Sequence, residues 1–506
     1  MIVLNGSSLT LADVAAIADG REPIALAPDA AERVDRARAV VDRKAQGDEP
    51  VYGINTGFGA LAETAVPREA LDHLQINLLR SHAAGVGEPL STPVVRATMA
   101  LRANVLAKGF SGIRRDTLER LLEMLNRGVH PKVPSRGSVG ASGDLAPLAH
   151  LALVLIGEGE ASVGGSATWL PGHAALRAAG IEPVQLGPKE GLALINGTQP
   201  SVAIAALALQ TAERLGRAAD LAVALSVDAL RGSIHPFESR IHAARPHRGQ
   251  SISAANLRWL LEGSDINKSH EHCGRVQDAY SLRCAPQVHG AARDAFAFVA
   301  TTLTVEANAA TDNPMVFAEA DEIVSGGNFH GAPVAMAADF LVIAAAQLAT
   351  ISERRSDRLV NPALSELPAF LTPASGLQSG YMMAQVTAAA LVSEIKTLAH
   401  PASVDTIPTS ANREDHVSMS MGAALKAERA VALASRVIAV EILCACQAID
   451  LLAPLATSPR LQRVHAYVRA AVPHLAGDRP PAPDIERIAA MIVDGSLETS
   501  CAQEVK

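Results

Sequence analysis

Aromatic side chains are scarce: 3% of the 506 residues, with two Trp, four Tyr and nine Phe. Because 49% of the chain is nevertheless hydrophobic, small aliphatic side chains must fill the core. Ala-rich runs such as 386-VTAAALVSEI and 202-VAIAALALQ favour closely packed helices, so a mostly α fold is expected. Cysteine is scarce too. There are five, an odd number without repeated spacing, and Cys444 and Cys446 are one residue apart, which argues against a disulfide framework and for a reducing cytoplasm. No block of like charge occurs and the net charge is -8, which makes nucleic acid and anionic membranes poor partners and a small molecule the expected ligand. The opening MIVLNGSSLTLADVAAIAD lacks the basic region, apolar stretch and small-residue cleavage site of a secretory leader. The longest apolar stretch, 331-GAPVAMAADFLVIAAAQLAT, is interrupted by Asp339 and followed by Glu353, Arg354 and Arg355, and reads as a buried core helix rather than a membrane span.

Strand-like pieces at Met1 to Leu4 and Val51 to Ile54 alternate with short helices and glycine turns, so residues 1–110 read as a mixed N-terminal region that contributes a site loop. Residues 111–506 read as an elongated helical region. Val288, Ala292, Phe296, Val299 and Leu303 recur at helical spacing. A second long helix is expected from about Gly422 to Leu452, with Leu433, Val437, Val440 and Cys444 on one stripe and Pro454 ending it. Helices this long and apolar usually need partner subunits to cover them, which predicts an oligomer.

Polar, glycine-rich stretches lie between the helices: 51-VYGINTGFG, 134-PSRGSVGASGD, 195-INGTQ, 277-QDAYSLR, 325-SGGNFHG and 409-TSANREDH. Their composition is that of loops that shape a site. The segment Gly140-Ala141-Ser142-Gly143-Asp144 misses the Gly-x-Ser-x-Gly nucleophile elbow by one position, and no Gly-Lys-Ser or Gly-Lys-Thr follows to make it a phosphate loop. A third reading is cyclisation: the Gly143 nitrogen attacks the Ala141 carbonyl carbon, and loss of two waters leaves a 4-methylideneimidazol-5-one, a strong electrophile.

Here the chain resembles the histidine/phenylalanine ammonia-lyase family, whose prosthetic group arises from Ala-Ser-Gly in this setting. Gly140 through Leu148 (GASGDLAPL) matches the family signature without a gap, and the likeness runs over essentially the whole chain. The resemblance implies a homotetramer with a central bundle of long helices and active sites assembled from several subunits. It also implies site roles. Tyr52 and Tyr280 are the candidate bases for the β-proton, with Tyr280 favoured; a phenol pKa near about 10 would have to be shifted for that task. Arg283 offers a planar fork for the substrate carboxylate. The amides of Asn196 and Gln277 are expected to hold carboxylate or ring oxygen, and Phe329 to wall the pocket.

Ser81-His82 before Ala-Ala-Gly is the pair typical of histidine-specific members, although some tyrosine aminomutases share it. Glu414 stands where aromatic-selective relatives tend to carry Gln, and a carboxylate can pair with an imidazole N–H. The resemblance therefore implies elimination of ammonia from L-histidine to trans-urocanate, with a 2,3-aminomutase or a lyase of another aromatic amino acid as alternatives. A non-enzymatic helical scaffold would lack the ring altogether, and a fumarase-type lyase would need a Gly-Ser-Ser-x-Met-Pro-x-Lys loop that is absent. The Gly57 to Ala62 match to a dinucleotide loop has no βαβ unit around it. The cluster His270-Glu271-His272-Cys273 lacks zinc-site spacing, so no metal is expected.

Overall fold

Apolar residues at three- and four-residue spacing do form the expected long helices. The computed structural model describes residues 1–501 apart from 48, 272, 273 and 275. The helix read through Val288 to Leu303 spans Ala285–Ala307, with Val299 and Leu303 fully buried. The one expected from Gly422 spans Ser420–Leu451, and every residue from 437 to 449 is buried. A helix enclosed on all sides belongs to the core, and its polar members must then find partners. They do: Glu441 pairs with Arg355 at 2.8 Å and accepts from Ser226, and the Gln447 side chain bonds the backbone of Leu475 through both of its ends.

The apolar stretch after Gly331 forms the helix Ala332–Val360, which is buried along one side only. Ala335, Ala338, Leu341, Val342 and Ala345 are fully buried, whereas Met336, Phe340 and Ile343 form an exposed stripe. By length and composition this helix and Ser420–Leu451 could cross a membrane, but 61% and 83% of their most apolar windows are buried inside the fold.

The chain forms two compact units. One comprises Met1–Leu207, Ala300–Asp339 and Pro401–Leu425; the other comprises Ala208–Val299, Phe340–His400 and Lys426–Lys506. The division does not fall near residue 110, because the helix Thr92–Ala107 packs on both Leu11–Ala18 and Arg115–Asn126. Among the described residues the strands are short and lie in the first unit. Ile2–Leu4 pairs in parallel with Ile24–Leu26, as the strand-like start suggests. Val51 to Ile54 is a turn instead: the amides of Ile54 and Asn55 donate to the Val51 carbonyl, the Asn55 side chain accepts from Val51 N at 2.7 Å, and Gly53 takes φ +78°. Of the cluster weighed as a metal site, His272 and Cys273 lie outside the described residues. Among the described residues, no three His, Cys, Asp or Glu side chains are grouped to hold a metal ion.

Candidate active site

The Ala141-Ser142-Gly143 segment lies between the strand Pro134–Arg136 and the helix Leu145–Leu155. Gly140, Ser142 and Gly143 all adopt left-handed backbone, at φ +72°, +49° and +76°. That conformation is free for glycine and unfavourable for serine, so the surroundings must hold Ser142 in it. They press closely. A Cβ on Gly143 would sit 2.3 Å from the Gly197 carbonyl oxygen, and one on Gly140 would sit 2.2 Å from Ser418 Oγ. The anchor below the loop is Asp144, fully buried, which accepts from Ser138 Oγ at 2.7 Å, Ser201 Oγ at 2.6 Å and Ser201 N at 2.9 Å. Burial pushes its carboxyl pKa up, and these three donors pull against that rise.

Over this loop lies Glu414. Residues 410–412 have positive φ, and Thr409 N donates to the Glu414 carbonyl, which closes the turn that carries the side chain. Ser142 Oγ donates to Glu414 Oε1 at 3.2 Å, while Thr409 Oγ1 and Ser410 Oγ donate to Oε2 at 2.6 and 2.9 Å. Two sequence-predicted residues feel this carboxylate. His82 ends the helix Leu71–His82, and with Nδ1 donating to the Leu78 carbonyl at 2.9 Å its Nε2 is left as an acceptor. Burial lowers the His82 pKa, only partly offset by the Leu78 carbonyl and the Glu414 charge, which favours the neutral ring. The Tyr52 hydroxyl accepts a long bond from Gly59 N at 3.4 Å. Burial raises its pKa, the Gly59 amide lowers it and the Glu414 charge raises it. The net shift opposes the one a tyrosine base requires.

Asn196 follows the helix Glu190–Ile195 and is 2% exposed. Its Nδ2 donates to the Asn313 carbonyl at 2.8 Å, and its Oδ1 is buried without a partner among the described residues. That oxygen can accept an N–H, and the second Nδ2 hydrogen leaves the expected contact to a carboxylate or ring oxygen open. Phe329 is half-buried, two residues before Gly331, where a Cβ would meet Ser420 Oγ at 2.6 Å. A Cβ on Gly140 would meet the same Oγ, also at 2.6 Å.

Gln277, Tyr280 and Arg283 form a separate group in the second unit. The Arg283 guanidinium stacks on the Tyr280 ring at 4.7 Å, Tyr280 is 71% exposed, and Arg283 Nε is buried without a partner among the described residues. Gln277 and Arg283 line a cavity of about 650 Å³ with Ser233, Pro236 and Gln287. Asp278 Oδ2 accepts from Ser233 N at 2.6 Å, and Arg355 donates to the Ser281 carbonyl at 3.2 Å, fixing the segment at both ends.

A sequence profile of the family described as aromatic amino acid lyase matches residues 9–470. The chain belongs to this family. The histidine ammonia-lyase of Anaeromyxobacter sp. (strain K) is 59% identical over 504 residues, covering 98% of this chain and 99% of the relative. That of Gloeobacter violaceus is 56% identical over 508 residues, covering 99% and 98%. Among solved structures, histidine ammonia-lyase from Trypanosoma cruzi superposes with a TM-score of 0.92 at 45% identity, over 99% of this chain and 95% of that one. Tyrosine aminomutase from Streptomyces globisporus gives 0.93 at 38% identity, over 99% and 98%. As an aromatic amino acid lyase, the chain carries its GASGDLAPL signature on the left-handed loop described above. Asp144 lies inside that signature, yet the anchoring role it plays with Ser201 is not readable from it, because that serine is remote in sequence.

Proposed function

We propose that the protein eliminates ammonia from L-histidine to give trans-urocanate, using a 4-methylideneimidazol-5-one made from Ala141, Ser142 and Gly143 and no dissociable cofactor. The observation that carries this reading is the 3.2 Å hydrogen bond from Ser142 Oγ to Glu414 Oε1, which joins the residue that would become the electrophile to the residue that would read an imidazole. The left-handed Ser142 and the absence of any room for a side chain at Gly143 suit a segment that must fold back on itself. Once formed, the ring supplies an electrophile for the substrate α-amine.

The chain's own residues do the rest. Dehydration of Ser142 removes the hydroxyl that Glu414 Oε1 accepts from, freeing that oxygen for an imidazole N–H while Thr409 and Ser410 keep Oε2 in place. Neutral His82 offers Nε2 as a second acceptor. Asn196 Oδ1 receives an N–H of the substrate amine, and Phe329 shields the pocket from water. Tyr280 takes the β-proton, because burial and the Glu414 charge hold Tyr52 in its phenol form. Arg283 pairs with the carboxylate, with Gln277 beside it. These last three residues come to the site from a neighbouring subunit of a homotetramer, a reading supported by the exposure of Tyr280 and by the apolar stripe of Met336, Phe340 and Ile343. The enzyme acts in the cytoplasm, without nucleic acid or membrane partners.

The test is to incubate the purified protein with L-histidine, L-tyrosine and L-phenylalanine, following conjugated acid, ammonia and β-amino acid together. Urocanate and ammonia in equal amounts from histidine alone, lost in Ser142→Ala, is the expected result. β-Histidine with little ammonia would make the enzyme an aminomutase, and reaction with none of the three would refute the reading.

A further inference from the structure

We infer that Arg102 is a positioning residue for ring formation: its guanidinium locks the Asn196-Gly197 turn, and through that turn Gly143. The inference rests on the function proposed above. Arg102 is fully buried in the middle of the helix Thr92–Ala107. It donates to the Asn196 carbonyl and to Gln199 Oε1, both at 2.8 Å, and to the Ala193 carbonyl. These acceptors belong to the end of one helix, Glu190–Ile195, and the start of the next, Gln199–Ala229. Carbonyls at a helix end have no partner within the helix, so a single fork satisfies and fixes the junction.

The junction is fixed from its other side as well. Gln199 Nε2 donates to Thr311 Oγ1 at 2.8 Å, and Asn196 Nδ2 to the Asn313 carbonyl at 2.8 Å. From Arg102 to the reacting segment the contacts leave no slack. A Cβ on Gly197 would lie 2.5 Å from an Arg102 terminal nitrogen, and one on Gly143 would lie 2.3 Å from the Gly197 oxygen. That same oxygen accepts from Asp144 N at 2.7 Å. The backbone of Gly143 therefore stands where Gly197 puts it, and Gly197 stands where Arg102 puts it.

Closure of the ring makes this placement matter. A bond forms from the Gly143 nitrogen to the Ala141 carbonyl carbon. The Ala141 oxygen leaves as water with the amide hydrogens of Ser142 and Gly143, giving a carbon–nitrogen double bond to Ser142 N. The Ser142 Cα hydrogen and its hydroxyl leave as the second water, with no net oxidation or reduction. The first step needs the nitrogen held against the carbonyl carbon, where small displacements are costly in rate. Lysine cannot replace the guanidinium, since one ammonium cannot span three acceptors fixed around a planar fork.

The test follows the two-water mass deficit of the full chain with time after folding, by intact mass under denaturing conditions, with thermal melts in parallel. Parent, Arg102→Lys, Arg102→Met and Leu106→Ala are compared; Leu106, fully buried on the same helix, reports general destabilisation. Leu106→Ala should melt lower yet reach the full deficit at the parental rate, whereas both Arg102 variants should dehydrate about a hundredfold more slowly, the scale of a misplaced near-attack geometry. Arg102→Lys, which keeps the charge, decides the matter if Arg102→Met does not fold. Dehydration of Arg102→Lys at the parental rate would overturn the inference, as would an equal slowing in Leu106→Ala. A parent chain without the deficit would instead remove the proposed function itself.

Discussion

On the proposed reading, Glu414 carries the choice of substrate on one charge. Among the described residues its Oε2 is held by two hydroxyls and its Oε1 by the Ser142 hydroxyl, which the proposed ring formation would consume. Glu414→Gln keeps the size and the hydroxyl contacts while removing the charge. Hydrogen bonds to charged groups contribute about 1.5–3 kcal/mol, so kcat/KM for histidine should fall roughly 10- to 150-fold, with phenylalanine or tyrosine turnover unchanged or improved. Equal loss on all three substrates would assign Glu414 to the common chemistry instead. His130 offers a test of stability. It is 6% exposed with the Arg96 guanidinium 3.0 Å away, and burial first, then the Arg96 charge, bring its pKa from 6.5 down to about 4. In that interval the unfolded chain binds the proton and the folded chain refuses it, so stability present above pH 6.5 is lost as pH falls toward 4. Melting temperatures of His130→Gln should decline less than those of the parent across this window; parallel profiles would exclude the group.

Among the elements, the long helices are legible in the sequence because small apolar residues recur at their spacing. The turn at Val51 to Ile54 is not, since Val and Ile favour a strand locally while Gly53 and the Asn55 side chain close a turn. The Ala141-Ser142-Gly143 segment and Glu414 are legible because each sits in a local motif. Arg102 is not, because a single arginine in a regular helix has no signature until the fold places three acceptors around it. Arg355 and Glu441 are hidden for the same reason. Both are fully buried, and they join two long helices within the second unit. Breaking one side of a buried pair leaves a charge without compensation, so Arg355→Met or Glu441→Gln should each lose about 3–5 kcal/mol in urea unfolding at fixed protomer concentration. The double variant Arg355→Met/Glu441→Leu should lose much less. Single losses under about 1 kcal/mol, the scale of exposed pairs, would show that the pair does not carry the junction.

For the whole molecule, the proposed role of Tyr280 asks an exposed side chain to serve a reaction that needs water kept out. Tyr280 is 71% exposed and Arg283, stacked on it, has a buried Nε without a partner among the described residues. Apolar residues also face outward at helical spacing, Met336, Phe340 and Ile343 on one long helix and Phe298 and Val305 on another. Contiguous exposed apolar stripes are expected to be covered by further subunits. If the covered assembly brings Tyr280 from one subunit to Ser142 of another, two inactive chains should complement each other. Ser142→Ala and Tyr280→Phe homo-oligomers would each be nearly inactive. Chains mixed in equal amounts during folding would regain about a quarter of parental activity, because half of the sites draw an intact Ser142 and half of those an intact Tyr280 from random neighbours in a symmetric oligomer. Recovery near zero would mean that both residues serve the same site from one chain, and would withdraw the shared-site reading while leaving the chemistry at Ala141-Ser142-Gly143 untouched.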